Sequence, residues 1–254
     1  MGRTDAMEPV AVRIGTAGWR LARVAADLGG EGSHLERYAR LFSCVEINSS
    51  FYRPHRSATY ARWAASVPAD FRFSLKVPKE ITHVRRLADA VDVLERFLDE
   101  SAQLGEKRAV LLVQLPPSFA YDAAAAESFF AALHERFAGD VACEPRHPSW
   151  FAPAVENTLR QLGIARVAAD PAPVPEAALP GGWEGLVYVR LHGSPRTYYS
   201  AYGEAALEDY ARRLRSAVVP SWCIFDNTAL GEATANALEL QRLLGPGIRG
   251  ARGN

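Results

Sequence analysis

The chain has 254 residues, with 29 Lys+Arg against 29 Asp+Glu and a formal net charge of zero; 48% of it is hydrophobic and 23% charged. That balance weighs against a generally basic nucleic-acid surface and against a disordered chain. No apolar run reaches the roughly 18 residues of a membrane span, and positions 1–10 lack the apolar stretch of a signal peptide, so the expectation is a soluble cytoplasmic protein.

Eight β-branched or aromatic runs begin near Val12, Cys44, Arg72, Ala109, Val141, Ala165, Leu186 and Ser221. They recur about every 30 residues, the size of a strand-plus-helix unit. The segments between them carry helix signatures. Ser33 with Glu36 is a capping box opening a helix to Phe42. Ser57 reads as the N-cap of a segment closed by Pro68. Leu87, Val91, Leu94 and Leu98 form a stripe with Gly105 as C-cap, and Asp122 caps a helix bearing Phe130, Leu133 and Phe137. Leu207, Tyr210, Leu214 and Val218 make another stripe, and Ala233, Ala237, Leu240 and Leu244 the last, stopped at Gly245-Pro246.

Strands alternating with helices over this length predict an α/β fold, a (β/α)8 TIM-like barrel in one domain over 11–246, with flexible ends at 1–10 and 247–254. The sixth unit is expected to be irregular, because Pro171, Pro173, Pro175 and Pro180 leave room for only a short helix. A doubly wound open sheet is the runner-up, weakened because GTAGW at 15–19 has only two glycines and no phosphate fingerprint. Cys44, Cys143 and Cys223 are far apart in apolar runs and read as small buried hydrophobes.

Strands buried on both faces read as continuous apolar runs, and these do not. Glu46 and Asn48 share one parity, as do Ser74 and Lys76, Glu144 and Arg146, Arg166 and Asp170, and Arg190 and His192. Gln114 alternates with Val113 and Leu115; Thr16 ends the first strand and Asp226 the eighth. With a side-chain period of two, each strand has an apolar face for the helices and a polar face for a barrel interior, charged toward the C-terminal end, where barrel enzymes build their sites. An antiparallel sheet with one wet face would alternate in the same way, but the helical crossovers weigh against it. A structural ion-pair network also fits, since Lys76, Arg146 and Arg190 nearly balance Glu46, Glu144, Asp170 and Asp226. Burying such charges costs several kcal/mol per ion before pairing, which favours a ligand site.

GTAGW at 15–19, EINSSFYR at 46–53, FRFSLKVPKEITH at 71–83, QLPPSF at 114–119, EPRHPSWF at 144–151, YVRLHG at 188–193 and FDN at 225–227 resemble the YecE-like family, domain of unknown function 72. The motifs run in order over nearly the whole chain. The resemblance implies a (β/α)8 barrel and no particular reaction, substrate or cofactor. One departure is Pro145, where similar sequences carry an aromatic residue between the glutamate and the arginine.

Three functional readings follow. The preferred one is an enzyme, a hydrolase or lyase of unassigned reaction, acting on a small polar or anionic, phosphate- or sugar-like compound. Its candidate catalytic residues are Glu46, Lys76, Glu144, His192 and Asp226, with Asn48, Arg146, Arg190, Trp19, Tyr52 and Trp150 binding substrate and no metal assigned. Arginine can clamp an anion bidentately, paired carboxylates can divide acid and base roles, and rings can stack on a sugar or base. Lys76 invites a Schiff-base reading, although an ion-pair partner is the commoner role for such a lysine. The second reading is a metal-dependent phosphodiester hydrolase using Glu46, Glu144, His147, His192 and Asp226; a nucleic-acid substrate is disfavoured, though His83, Arg85 and Arg86 form a basic stretch. The third is a non-catalytic barrel binding a small ligand. Trp63 and Trp222 lie within predicted elements and are expected in the core.

Overall fold

The computed structural model describes residues 10–22 and 29–245. The expected flexible ends therefore fall, Val10 apart, outside the described residues. In chain order the elements are β1 (Val12–Thr16), α1 (His34–Leu41), β2 (Cys44–Ile47), the single turn α2 (Ser49–Tyr52), α3 (Ser57–Ala65) and β3 (Arg72–Lys76). Then come α4 (Val91–Ser101), β4 (Arg108–Gln114), α5 (Ala123–Arg136), β5 (Asp140–Glu144), α6 (Pro153–Gln161), β6 (Ile164–Arg166) and β7 (Ala168–Asp170). The chain closes with β8 (Gly181–Gly182), β9 (Val187–Leu191), α7 (Glu204–Arg215), β10 (Ser221–Phe225) and α8 (Glu232–Leu244).

The strands pair in two sheets, β2-β3-β4-β5-β6-β8 and β1-β10-β9-β7. Every pairing is parallel except the short β6–β8 ladder. The result is an α/β fold with parallel sheets, and not the single closed eight-stranded sheet that the strand count predicted. At one seam β1 meets β2 through a lone bridge, Ala17 to Glu46, and the Gly18 amide donates to the Glu46 carbonyl at 2.8 Å. Gly15 permits this approach, because a Cβ there would lie 2.5 Å from the Cys44 carbonyl oxygen. At the other seam only Val167 separates β6, which pairs with β5, from β7, which pairs with β9. The sixth unit is irregular, as expected: a single 3-10 turn at Pro175–Ala178 and β8 stand where a crossover helix would lie.

Local chemistry explains most helix ends. The Ser33–Glu36 capping box is formed, and the Asp122 side chain accepts from the Ala125 amide at 3.0 Å. Ser57 is the first residue of α3 rather than its cap; Arg56 takes that place without a side-chain bond. Val218 lies beyond α7 and is exposed, so the stripe ends at Leu214. Val91 is also exposed, and α4 packs through Val93, Leu94, Phe97 and Leu98.

Alternation divides the interior in two. One parity, including Val45, Leu75, Leu111, Cys143, Leu191 and Phe225, packs against the helices. The other, including Cys44, Val110, Leu112, Ala142, Ala165, Tyr188, Trp222 and Ile224, forms a second core between the inner faces of the two sheets. Trp222 is thus buried as expected, while Trp63 is half-buried at the edge of the outer core. All three cysteines are buried free thiols.

Candidate functional site

Followed toward the C-terminal ends of the strands, the inner face changes from apolar to charged at the same parity. Cys44 is succeeded by Glu46, Leu112 by Gln114, Ala142 by Glu144, Tyr188 by Arg190 and His192, and Ile224 by Asp226. Period-two geometry sends these side chains into one space.

Arg190 lies at its centre, with no exposed surface. Its Nε donates to Glu46 Oε2 at 3.0 Å and its Nη2 to Glu46 Oε1 at 2.7 Å. Nη1 donates to Glu144 Oε2 at 2.6 Å and, more weakly, to Gln114 Oε1 at 3.4 Å, while Nη2 also reaches Asp226 Oδ2 at 3.0 Å. The Tyr188 hydroxyl lies 3.0 Å from Glu46 Oε2 and 2.8 Å from Ser74 Oγ. One guanidinium therefore joins β2, β5, β9 and the residue that follows β10 across the two sheets.

His192 is held at both nitrogens. Nδ1 lies 3.0 Å from Asp226 Oδ2, and Nε2 lies 2.9 Å from both Glu144 Oε1 and Arg146 Nη2. Arg146 Nη2 also pairs with Glu144 Oε1 at 2.5 Å. A neutral ring accepts from Arg146 at Nε2 and donates from Nδ1 to Asp226; a protonated ring donates to both carboxylates.

Burial alone would raise the Glu144 carboxyl, but Arg190, Arg146 and His192 overcome it and hold Glu144 well below the usual carboxylate range. Asp226 is lowered against the same burial penalty, chiefly by Arg190 and His192. Burial would lower the Arg190 guanidinium, and Glu46, Glu144 and Asp226 raise it well above its ordinary value. Lys76 behaves differently. Burial, helped by Arg190, pushes it down to about 8 against the pull of the three carboxylates. Its Nζ sits 4.0 Å over the Phe51 ring and makes no hydrogen bond or ion pair with any described residue. The ion-pair role expected of it is not what the structure shows.

Two further polar atoms are open. Arg146 Nε and Asn48 Oδ1 are buried without a partner. The cluster thus has a closed base, made of Arg190, Glu46, Tyr188 and Ser74, and an open rim, made of Lys76 and Arg146, with Asn48 following Glu46 at the same parity. With His192 neutral, Glu46, Glu144 and Asp226 balance Arg190, Arg146 and Lys76.

Of the expected site residues, Glu46, Lys76, Glu144, Arg146, Arg190, His192 and Asp226 converge, with Asn48 beyond the end of β2. Of the aromatic expectations, Trp150 at a site mouth is corrected. Trp150 is fully buried, its Nε1 donating to the Phe119 carbonyl at 2.9 Å, and Tyr52 is mostly exposed and packs on Phe51. Trp19 stacks edge-on against Trp63 at 4.9 Å and lines, with Asn48 and Thr228, a cleft of about 1110 Å³ beside the cluster. Two polar parities are corrected as well. Arg166 turns outward to Glu156, and Asp170 accepts from Tyr210 on α7 at 3.1 Å. Thr16 likewise faces α1, its Oγ1 lying 3.1 Å from the Tyr38 hydroxyl.

The rings that do reach the cluster are Phe51 under Lys76 and Tyr198, 6.0 Å edge-on from His192. Tyr188, two residues before Arg190 at the same parity, is a site residue that the sequence reading did not single out. His83 also belongs here, its ring edge-on to Phe51 at 5.0 Å between centroids and lowered by burial and by Lys76. Among the described residues, no group of three or more His, Cys, Asp and Glu has the arrangement of a metal site. His147, expected as a ligand in the second reading, bonds Ser149 instead, and the space between the three carboxylates holds the Arg190 guanidinium. No helix among the described residues is long and apolar enough to cross a membrane.

An α/β fold with parallel sheets and a charged cluster at the strand ends defines the class. The chain belongs to the family described as Protein of unknown function DUF72, which matches residues 13–252. It is 34% identical over 146 residues to UPF0759 protein YecE of Escherichia coli strain K12, covering 55% of this chain and 53% of that one. The alignment thus spans about half the length of this relative. It is 25% identical over 244 residues to UPF0759 protein YunF of Bacillus subtilis strain 168, covering 83% and 86% respectively. Among solved structures, a DUF72 family protein of Thermotoga maritima MSB8 is similar with a TM-score of 0.76 at 24% identity, covering 92% of this chain and 99% of that one. One of Enterococcus faecalis V583 also gives 0.76, at 22% identity, covering 92% and 95%. These two likenesses concern the fold.

Proposed function

We propose that the protein is an enzyme acting on a small polar, anionic compound bound at the C-terminal ends of its parallel strands. The two sheets are read as halves of one barrel-like enclosure, supported by the hydrogen bonds that Arg190 and Tyr188 make from one sheet to Glu46 on the other. The observation that carries the proposal is the contrast between base and rim. Every heteroatom of the Arg190 guanidinium is satisfied, whereas Arg146 Nε and Asn48 Oδ1 are buried without a partner and the Lys76 ammonium rests over Phe51 with no acceptor from the described residues.

An orphaned buried donor such as Arg146 Nε costs roughly 1–3 kcal/mol, which favours a bound partner at that atom over a purely structural network. Arg146 offers its Nε–H to an anionic oxygen, Asn48 orients a donor on the ligand, and His192 between Glu144 and Asp226 moves a proton. Arg190 and Glu46 position these groups without touching the ligand. A barrel that binds without turnover would share the same rim, and turnover of the bound compound separates the two.

The test is calorimetric binding of inorganic phosphate, a sugar phosphate and a dicarboxylate. At least one should bind, with affinity falling at least tenfold in a folded Arg146→Gln variant. Equal behaviour of wild type and variant toward all three overturns the proposal.

A further inference from the structure

We infer that Lys76 is an imine-forming nucleophile and that the ligand of this site is a small aldehyde or ketone. This rests on the site reading above and narrows it to a substrate class.

The first observation is compositional. Only three of the 29 basic residues are lysines, Lys76, Lys79 and Lys107; the other 26 are arginines. Lys107 has a structural task, its Nζ donating to the carbonyls of Ala64 at 2.6 Å and Val67 at 2.8 Å. Lys79 is exposed. Lys76 stands on an inner strand face where the other cations are Arg190 and Arg146. An arginine there would hold its proton throughout the physiological range; a lysine can lose it and present a lone pair.

The second observation is geometric. A lysine kept for charge balance would pair with one of the nearby carboxylates, but Arg190 has taken Glu46, Glu144 and Asp226, and Arg146 shares Glu144. Lys76 is left against the Phe51 ring with no acceptor. Its charged neighbours are Glu46 from β2, Glu144 from β5, Arg190 from β9 and Asp226 just past β10, with His83 edge-on to the same Phe51 ring. A desolvated amine beside a second cation is the arrangement that activates a lysine toward carbonyl carbon. The environment pushes Lys76 down to about 8, so about a tenth of it is neutral at pH 7.

The step is a condensation. The neutral amine attacks the carbonyl carbon and a C–N bond forms; the carbonyl oxygen then leaves as water with both nitrogen protons, giving the imine. No oxidant or reductant is needed.

The test is reductive trapping on the whole folded protein at pH 7, using formaldehyde and, separately, pyruvate or dihydroxyacetone phosphate with cyanoborohydride, followed by peptide mass spectrometry. Lys76 should be alkylated by formaldehyde at least tenfold faster than Lys79, with a rate midpoint near pH 8. At least one larger carbonyl compound should add once, at Lys76, and the adduct should vanish in Lys76→Arg. Faster reaction at Lys79, with Lys76 reacting only after unfolding in urea, overturns the inference. If anion binding through Arg146 survives that result, the imine alone falls; if neither is seen, the site reading falls with it.

Discussion

Arg190 grips Glu46 with two nitrogens, Nε to Oε2 at 3.0 Å and Nη2 to Oε1 at 2.7 Å, where neither side chain reaches solvent. The pair joins β9 to β2, and so one sheet to the other. Breaking a buried pair leaves an uncompensated charge, at a cost of about 3–5 kcal/mol. Arg190→Met should lose about that much in urea unfolding, and the double variant with Glu46→Gln should lose less than the sum of the singles. Additive losses would mean that the two do not act as a pair.

Acid sensitivity should follow Glu144 and Asp226. Both have folded pKa values below their unfolded ones, so the stability they add is complete above the ordinary carboxylate range near about 4 and is lost as pH falls through their lowered values. Glu144→Gln should be less stable at neutral pH and show a shallower acid limb. An unchanged slope between pH 5 and 2 would contradict this.

Lys76 has the opposite consequence. Folded, it gives up its proton near pH 8, whereas an unfolded lysine keeps it to about 10.4. Between those values the unfolded state binds more protons, so stability rises with pH. Compared with Lys76→Met, the wild type should gain up to about 3 kcal/mol from pH 8 to 10.5. A flat difference across that window would place the Lys76 ammonium in an ordinary aqueous setting.

Trp150→Phe separates core from site. It removes the hydrogen bond to the Phe119 carbonyl and should cost about 1–2 kcal/mol of stability, with anion affinity unchanged. A binding defect without a stability loss would return Trp150 to the rim.

Strand positions and the charged parity were legible because both follow from period-two alternation, which is local. Glu46, Lys76, Glu144, Arg190 and Asp226 converge for that reason. The sixth run misled because the chain changes sheets at Val167. There Arg166 and Asp170 take the outer parity and find Glu156 and Tyr210. The aromatics misled because position after a strand does not say where a ring points; Phe51 turns under Lys76 while its neighbour Tyr52 turns to solvent. Two sheets instead of one closed sheet depend on hydrogen-bond register at both seams, β1–β2 and β6–β7, which the period-two pattern does not encode.

The measurement closest to the central claim compares thermal stability with and without inorganic phosphate in wild type, Arg146→Gln and Arg190→Met. The division into closed base and open rim predicts that phosphate raises the wild-type Tm. Arg146→Gln should lose less Tm than Arg190→Met, because Glu144 keeps its bond to Arg190, and should lose the phosphate response, while Arg190→Met should lose several degrees in either buffer. A full phosphate response in Arg146→Gln would contradict the account, because the open donors would then serve no ligand.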